Sequence, residues 1–349
     1  MELTSIIQQY YDAFVKKYGH MLLPGHYKAL NAILRCRTPD SGELYVRCPE
    51  CGHTEWKPVS CGHRSCPKCQ NYESSQWIDR QSAKLLPVRY FMATFTLPYQ
   101  LRNLAWHHQR EIYSIFFLCV ASTLKDFGLN PKNLGADIGM TMVLHTHSRA
   151  LDYHPHIHVV VPGGGVDKQK RQWKKKKHKF LFNEFAIAKV FRARFLSELN
   201  NAGFRIPTGI PSKWVADCEY VGRGISALKY LSKYLYRGVI SEKNIISNKN
   251  GRVTFKYIES KTGNLNFRVL DGEDFLFHVI QHVLPKGFRR VRDYGFLHSN
   301  AKKTLFLVQL ILHVIIKEIE KRKRPVFNCP CCKSSMIIDG FRQAEWGDG

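Results

Sequence analysis

The stretch His154-Pro-His156-Ile-His158-Val-Val-Val-Pro-Gly163-Gly-Gly165-Val constrains this chain more than any other. A strand has a side-chain period of two, so its three histidines share one face while Pro155, Ile157 and Val159 share the other. Neighbouring imidazoles are expensive to bury without a partner. A divalent metal ion answers that need, because neutral imidazole nitrogen is one of its common ligands. The plainer alternative is a cluster of solvent-facing histidines near a loop. Pro155 offers no N–H to a ladder and is tolerated at the first residue of a strand or on an edge. Gly163 to Gly165 allow a tight turn and close approach of a backbone or ligand, without the pattern of a P-loop.

Met140 to Thr146 reads as a second strand, joined to the first by the brief Ser148 to Tyr153 link. A link that short favours antiparallel pairing and puts His145 and His147 on the partner strand. Val88 to Leu97 is a further strand, and Arg252 to Ile258 with Asn266 to Leu270 form a hairpin turning at Lys261-Thr-Gly263-Asn. Helical spacing marks Ser5 to Tyr18, His26 to Arg35, one long helix over Leu101 to Phe127, a short one over Asp274 to His282, and another over Thr304 to Lys317. In the helix Glu184 to Leu199, Phe185, Ala188, Val190, Phe191, Phe195 and Leu199 face inward.

Ahead of these lies Cys48-Pro-Glu-Cys51-Gly-His53, then Cys61-Gly-His63-Arg-Ser-Cys66-Pro-Lys-Cys69. Each C-x2-C pair holds two thiolates near tetrahedral distance, and the fourteen residues between Cys51 and Cys66 suffice to bring the pairs together. Cys48, Cys51, Cys66 and Cys69 are therefore expected to form one structural zinc site. Cys61, His63 and His53 are spare ligands for that ion or a second. Near the end of the chain Cys329-Pro-Cys-Cys332 looks like half a zinc knuckle, whose other half is either in the N-terminal cluster or missing. Tight grouping of the cysteines fits reduced thiols rather than disulfides.

The 53 lysines and arginines against 28 acidic residues give a net charge of +25. Such an excess points to a polyanionic partner, nucleic acid before membrane. Lys174, Lys175, Lys176 and Lys177, after Trp173, form a basic arm that either tracks a DNA backbone or is a solvated loop. No signal peptide is visible at Met1 to Ile7, and Leu305 to Ile316 is shorter than a membrane span requires. A cytoplasmic, nucleoid-associated protein with no membrane partner is expected.

Tyr230 and Tyr234 in Ile225 to Leu235 are four apart, which on a helix stacks both hydroxyls on one face beside Lys229, Lys233 and Arg237. Two such tyrosines are ordinarily core or boundary residues. Beside a metal-holding histidine strand they fit attack on a phosphodiester, with Lys233 or Arg237 neutralising non-bridging oxygens.

Taken together, Cys36-Arg-Thr38, the Cys48 to Gln70 ribbon, His154 to Gly165, Phe180 to Leu196, Tyr230-Leu-Ser-Lys-Tyr234 with Arg237, and His282-Val-Leu-Pro-Lys-Gly-Phe288 through Phe296 resemble the two-tyrosine HUH transposases of the insertion sequence 91 group. The resemblance implies an α+β fold: an HUH endonuclease core with a central antiparallel sheet between helices, and a small zinc-bound N-terminal domain. It implies that His156 and His158 hold magnesium or manganese and that Tyr230 and Tyr234 are the nucleophiles. Single-stranded DNA at the element's ends and target would be cleaved to a 5′-phosphotyrosine and a free 3′-hydroxyl, then transferred. A third ligand is expected at His154 by alternation, with His147 or a residue near the tyrosines as alternatives. The lack of a C-terminal P-loop implies reliance on a host helicase and replication machinery. Expected units are 1–85 helical and zinc-binding, 86–300 catalytic, and 301–349 a basic helix and cysteine tail. A rolling-circle replication initiator nickase and a non-catalytic zinc-dependent DNA-binding protein are the competing readings.

Overall fold

The computed structural model describes residues 2–69, 71–175, 181–224, 226, 239–259, 262–315 and 326–343. The chain opens with helices α1 (Leu3–Tyr18) and α2 (Pro24–Arg35), whose apolar residues recur every third or fourth position and are buried. Strands β1 (Glu43–Arg47) and β2 (Thr54–Pro58) form the ribbon, followed by helix α3 (Asn71–Ser82). Strand β3 (Arg89–Thr96) enters the centre of the molecule. The long helix expected next is broken at His107-His108 into α4 (Arg102–His107) and α5 (Gln109–Leu129). After these come β4 (Gly139–His147), β5 (Tyr153–Pro162), β6 (Gly164–Asp167), β7 (Gln172–Lys175) and α6 (Glu184–Asn201). Strands β8 (Ala216–Arg223), β9 (Ile245–Lys249), β10 (Arg252–Ile258) and β11 (Leu265–Asp271) lead to α7 (Gly272–Ile280). Strand β12 (Val291–Gly295), helix α8 (Lys302–Ile311) and strand β13 (Ile337–Arg342) complete the described chain.

A five-stranded antiparallel sheet ordered β12-β4-β5-β3-β8 is the centre of this α+β fold. Strict alternation gives it two unlike faces. Phe91, Ala93 and Phe95 of β3, Met140, Met142 and Leu144 of β4, and Ile157, Val159 and Val161 of β5 face α5 and α6 in the largest core. Helix α5 is long and apolar enough to cross a membrane, and Ile112, Phe116, Phe117, Val120 and Leu124 on it lie in that core. In α6, Ile187, Ala188, Phe191, Phe195 and Leu199 are buried, whereas Phe185, expected to point inward, is 84% exposed. The opposite sheet face is divided. Trp77 of α3 covers one half by packing on Tyr90, Met92, Val143 and Val160, and the histidines occupy the other half.

The triple glycine serves packing. A Cβ on Gly164 would lie 2.5 Å from Lys174 O, and one on Gly165 would lie 2.6 Å from Asp137 O. Strand β6 therefore approaches neighbouring backbone in a way that no larger residue permits.

Helices α1 and α2 share a core with Ile240, Ile245, Val253 and Phe255 and with Phe275, Leu276, Val279 and Ile280 of α7. Packing thus ties the first helices to a segment far along the chain, across the sequence division expected near residue 85. His26 is buried in this region: its Nδ1 accepts the Leu23 N–H at 3.1 Å, and its ring stacks on Trp106 at 5.4 Å. Burial pushes its pKa down to about 4, against roughly 6.5 in an unfolded chain. The stability that follows is fully present above pH ~6.5 and is lost as pH falls toward 4. At pH 5 the loss from this one residue is about 2 kcal/mol. Denaturant midpoints at pH 7.5 and 5 should show a fall to which the other buried histidines also contribute, and His26→Gln should remove this share of it.

Candidate metal centre

Three imidazoles converge on the half-covered face. His145 of β4 is the direct cross-strand partner of His156 of β5, and His158 lies two residues further along the same face of β5. Ring centroids are 5.2 Å apart for His145 and His156, 4.8 Å for His145 and His158, and 4.9 Å for His156 and His158. One ligand nitrogen from each falls within 4.8 Å of the others.

Neighbouring groups select which nitrogen is offered. His156 Nδ1–H donates to the His154 carbonyl at 2.6 Å, and His158 Nδ1 faces Thr94 Oγ1 at 3.0 Å. Both rings are thereby oriented to present Nε2, the arrangement in which a second partner fixes a ligating histidine. Burial pushes all three pKa values down, His158 to about 4, with neighbouring histidine charges adding to the effect on His145 and His156. The imidazoles are neutral at pH 7 and have lone pairs to give, so the donor set fits a divalent ion.

The third position differs from the alternation argument. His154 is not in the cluster: its Nδ1 accepts from Arg102 Nη2 at 2.6 Å. His154 lies beside an irregularity in the β4–β5 register, where His145 pairs with His156 but His147 pairs with Tyr153, and its ring stays 5.2 Å from that of His156. The irregularity lies between the His145–His156 and His147–Tyr153 pairs, and the Pro155 carbonyl accepts the Leu97 N–H at 3.1 Å. His147, the other candidate, stacks 5.9 Å from His145 and lies 5.1 Å from His282, also outside the cluster.

The turn between the histidine strands is pinned from outside. The Leu151 carbonyl accepts from His282 Nε2, Gln281 Nε2 and His278 Nδ1, each at 3.1 Å. Arg268 Nη1 donates to Asp152 at 2.7 Å. Leu151 itself has φ 71°, a conformation a branched residue keeps only when its surroundings hold it. Helix α7 and strand β11 thus set the β4–β5 register on which the three imidazoles depend.

The cysteines assemble in two groups rather than one. Cys66 and Cys69 join Cys36 and Cys61, whereas Cys48 and Cys51 join Cys329 and Cys332. The four-cysteine site expected from Cys48, Cys51, Cys66 and Cys69 is corrected accordingly: β1 and β2 carry the first pair away toward β13, and α2 delivers Cys36 to the second. In the first group Cys36 Sγ is 3.5 Å and Cys61 Sγ 3.6 Å from Cys69 Sγ. The Cys61 hydrogen bond draws the Cys66 pKa down to about 5, toward the thiolate that zinc binds. His53 and His63 belong to neither group; His63 Nδ1 accepts the Ser65 N–H at 3.2 Å and shapes the knuckle. Arg64 in that knuckle donates to the carbonyls of Leu284, Pro285 and Phe288 at 2.5–2.7 Å, fastening the zinc unit to the loop after α7.

Lys174 is engaged, paired with Asp167 at 3.0 Å and donating to Gly135 O at 2.8 Å, and Trp173 packs 6.0 Å from Phe296. Of the expected basic arm only Lys175 is both described and exposed, since Lys176 and Lys177 lie outside the described residues. Tyr230, Lys233, Tyr234 and Arg237 lie outside them as well. His145 and Cys36 are the residues that sequence reasoning did not place at these sites. The pairing of His145 with the histidine strand was the available signal for one, and the Cys36-Arg-Thr38 motif for the other.

Residues 6–97 match the family described as "Transposase zinc-binding domain", and residues 139–304 the family described as "Putative transposase". Over 325 residues the chain is 31% identical to "Putative transposase y4qJ" of Sinorhizobium fredii (strain NBRC 101917 / NGR234), covering 86% of this chain and 81% of that protein. It is 26% identical over 336 residues to the transposase for insertion sequence element IS801 of Pseudomonas savastanoi pv. phaseolicola, covering 90% and 80%. A slight likeness, with TM-score 0.29 and 19% identity over 35% of this chain and 47% of the other, is to a metal-bound conjugative relaxase TrwC in complex with OriT DNA.

Proposed function

This chain belongs to the rolling-circle transposases of the insertion sequence 91 family, with that family's zinc-binding domain at its N-terminal end, and from that premise we propose that it cuts and rejoins single-stranded DNA through a 5′-phosphotyrosine. The convergence of His145, His156 and His158 is the observation that carries the reading. Three neutral imidazoles on adjacent strands of a rigid sheet are a built donor set for manganese or magnesium, and all-nitrogen ligation favours manganese. When bound, the ion supplies Lewis acidity at the scissile phosphate.

The chain's own groups do the rest. The hydroxyl of Tyr230 or Tyr234 loses its proton and forms a P–O bond, the P–O3′ bond breaks, and the departing 3′-oxygen takes up a proton. Lys233 and Arg237 neutralise the non-bridging oxygens as negative charge builds. The hydrogen bonds at His156 Nδ1 and His158 Nδ1 keep both rings aimed, so no reorganisation is needed at the reacting phosphate. Two nucleophiles let one cleaved end stay attached while the other attacks. Host helicase and replication functions and a cytoplasmic, nucleoid-associated setting complete the proposal. An origin-nicking replication initiator would use the same chemistry, but the zinc-binding match favours the transposase.

The test separates the two candidate third ligands. His145→Ala should weaken manganese binding at least ~10-fold, the low end of the loss that follows removal of even a group behind a ligand, and strand cleavage should fall with it. His154→Ala should leave affinity within a few fold. Calorimetric titration with manganese reads both, and equal losses in the two variants would overturn the assignment of His145.

A further inference from the structure

Two loops from opposite ends of the chain have the same construction. In Cys48-Pro-Glu-Cys51-Gly52-His53, the Cys48 N–H donates to His53 O at 2.8 Å, the Gly52 N–H donates to Cys48 O at 3.1 Å, and Gly52 has φ 73°. In Cys329-Pro-Cys-Cys332-Lys333-Ser334, the Cys329 N–H donates to Ser334 O at 2.8 Å, the Lys333 N–H donates to Cys329 O at 3.0 Å, and Lys333 has φ 65°. Lys333 takes the left-handed conformation at the place where the other loop has glycine, so the two loops share one backbone geometry despite the strain on a residue with a Cβ.

The loops face each other, with Cys48 Sγ 3.4 Å from Cys332 Sγ, Cys51 Sγ 3.5 Å from Cys329 Sγ, and all four sulfurs within 4.8 Å. A disulfide needs ~2.05 Å. Zinc bonded to four thiolates at ~2.3 Å sets the sulfurs ~3.8 Å apart. We propose that Cys48, Cys51, Cys329 and Cys332 bind a second structural zinc(II) ion, distinct from the one at Cys36, Cys61, Cys66 and Cys69, and that this ion clasps the end of the chain to its beginning. The zinc-binding family match stops at residue 97 and does not reach Cys329. The inference does not depend on the transposase chemistry.

The surroundings explain why a metal is needed here. Strand β13 pairs antiparallel with β1, and β1 with β2, so the C-terminal segment supplies a third of a small sheet. Among the described residues its core is Val46, Cys48, Cys329 and Met336, with Leu44 and Phe327 partly buried against it. Of the pairs that cross between the ends, Arg47 with Asp339 at 2.5 Å is a surface ion pair of small worth, and Arg342 with Glu43 joins an exposed guanidinium to a buried carboxylate. A unit this small acquires its stability from metal binding. The unit also joins aromatic and basic groups from both ends, for Arg342 lies 4.7 Å over the Trp56 ring, which stands 5.0 Å from Tyr45.

Zinc content and hydrogen exchange of the reduced full-length chain test the clasp. Counting only zinc released when the thiols are blocked with a mercurial, which leaves out any ion at the imidazole centre, the wild-type chain should carry two zinc ions, Cys329→Ser/Cys332→Ser should carry one, and Cys331→Ser, which alters an exposed thiol outside the group, should keep two. Loss of the ion should raise amide exchange in residues 43–58 at least tenfold. Should the double variant be insoluble, cobalt substitution of the wild-type chain decides, with two tetrathiolate cobalt centres expected. One zinc in the wild-type chain, two retained by the double variant, one cobalt centre, or unchanged exchange after zinc loss would each overturn the proposal.

Discussion

Changing Tyr230 and Tyr234 together to phenylalanine should abolish covalent attachment to DNA, a loss of at least ~10⁴-fold in cleavage rate if covalent catalysis carries the reaction. Phenylalanine removes only the hydroxyl oxygens and keeps the rings, so packing changes little. The single variants should differ from the double one. With one nucleophile left, a first cleavage persists while the coupled second step fails. A phenol has a pKa near 10, so only about one in a thousand is ionised at neutral pH, and the reaction depends on positive charge that favours the phenolate and the phosphorane. Manganese binding should be unchanged in the double variant, because the metal-holding imidazoles lie on β4 and β5. Labelled oligonucleotides resolved under denaturing conditions check this, and a normal adduct in the double variant would remove these tyrosines from the mechanism.

Cys36→Ser should damage the fold nearly as much as Cys66→Ser. Cys36, Cys66 and Cys69 are buried in the same core as α1, α2, β10 and α7, so the first cysteine group sits where the helical N-terminal unit meets the rest of the molecule. Structural zinc in small domains contributes about 10 kcal/mol or more, comparable with the whole stability of a domain. Removing one thiolate of four gives up much of that and leaves its three partners close together without a charge to neutralise them. The melting temperature should fall by more than ~10 °C, and one zinc should be lost. Retention of full zinc content and an unchanged melt by Cys36→Ser would contradict the grouping with Cys61, Cys66 and Cys69.

What was legible in the sequence was local. Alternation within β5 and the brevity of the 148–153 link gave the antiparallel pair and placed His145 and His147 on the partner strand. The same alternation put His154 beside His156, where its ring lies 5.2 Å away, but gave no sign that Arg102 engages its Nδ1. Spacing found the zinc knuckles but not their partners. Cys48 and Cys66 are close in sequence yet belong to different groups, and Cys48 meets Cys332 across 284 positions. Pairing across that distance is decided by the β13–β1 ladder and by the packing of α2, which leave no short-range signature. Trp173 shows the limit of composition: beside four lysines it read as either a nucleic-acid contact or part of a solvated loop, and its ring packs toward Phe296 while Lys174 is paired with Asp167.

The central claim is that this chain joins itself covalently to DNA by a metal-dependent reaction. The purified chain should be incubated with labelled single-stranded DNA from the flanks of its own gene, with manganese or with EDTA, and resolved under denaturing conditions. A protein–DNA adduct that forms with manganese, fails with EDTA, and maps by peptide analysis to Tyr230 or Tyr234 is the predicted result. Tight binding across an adequate panel of DNA strands with no adduct under either condition would contradict it, and would favour a zinc-dependent DNA-binding protein without catalysis.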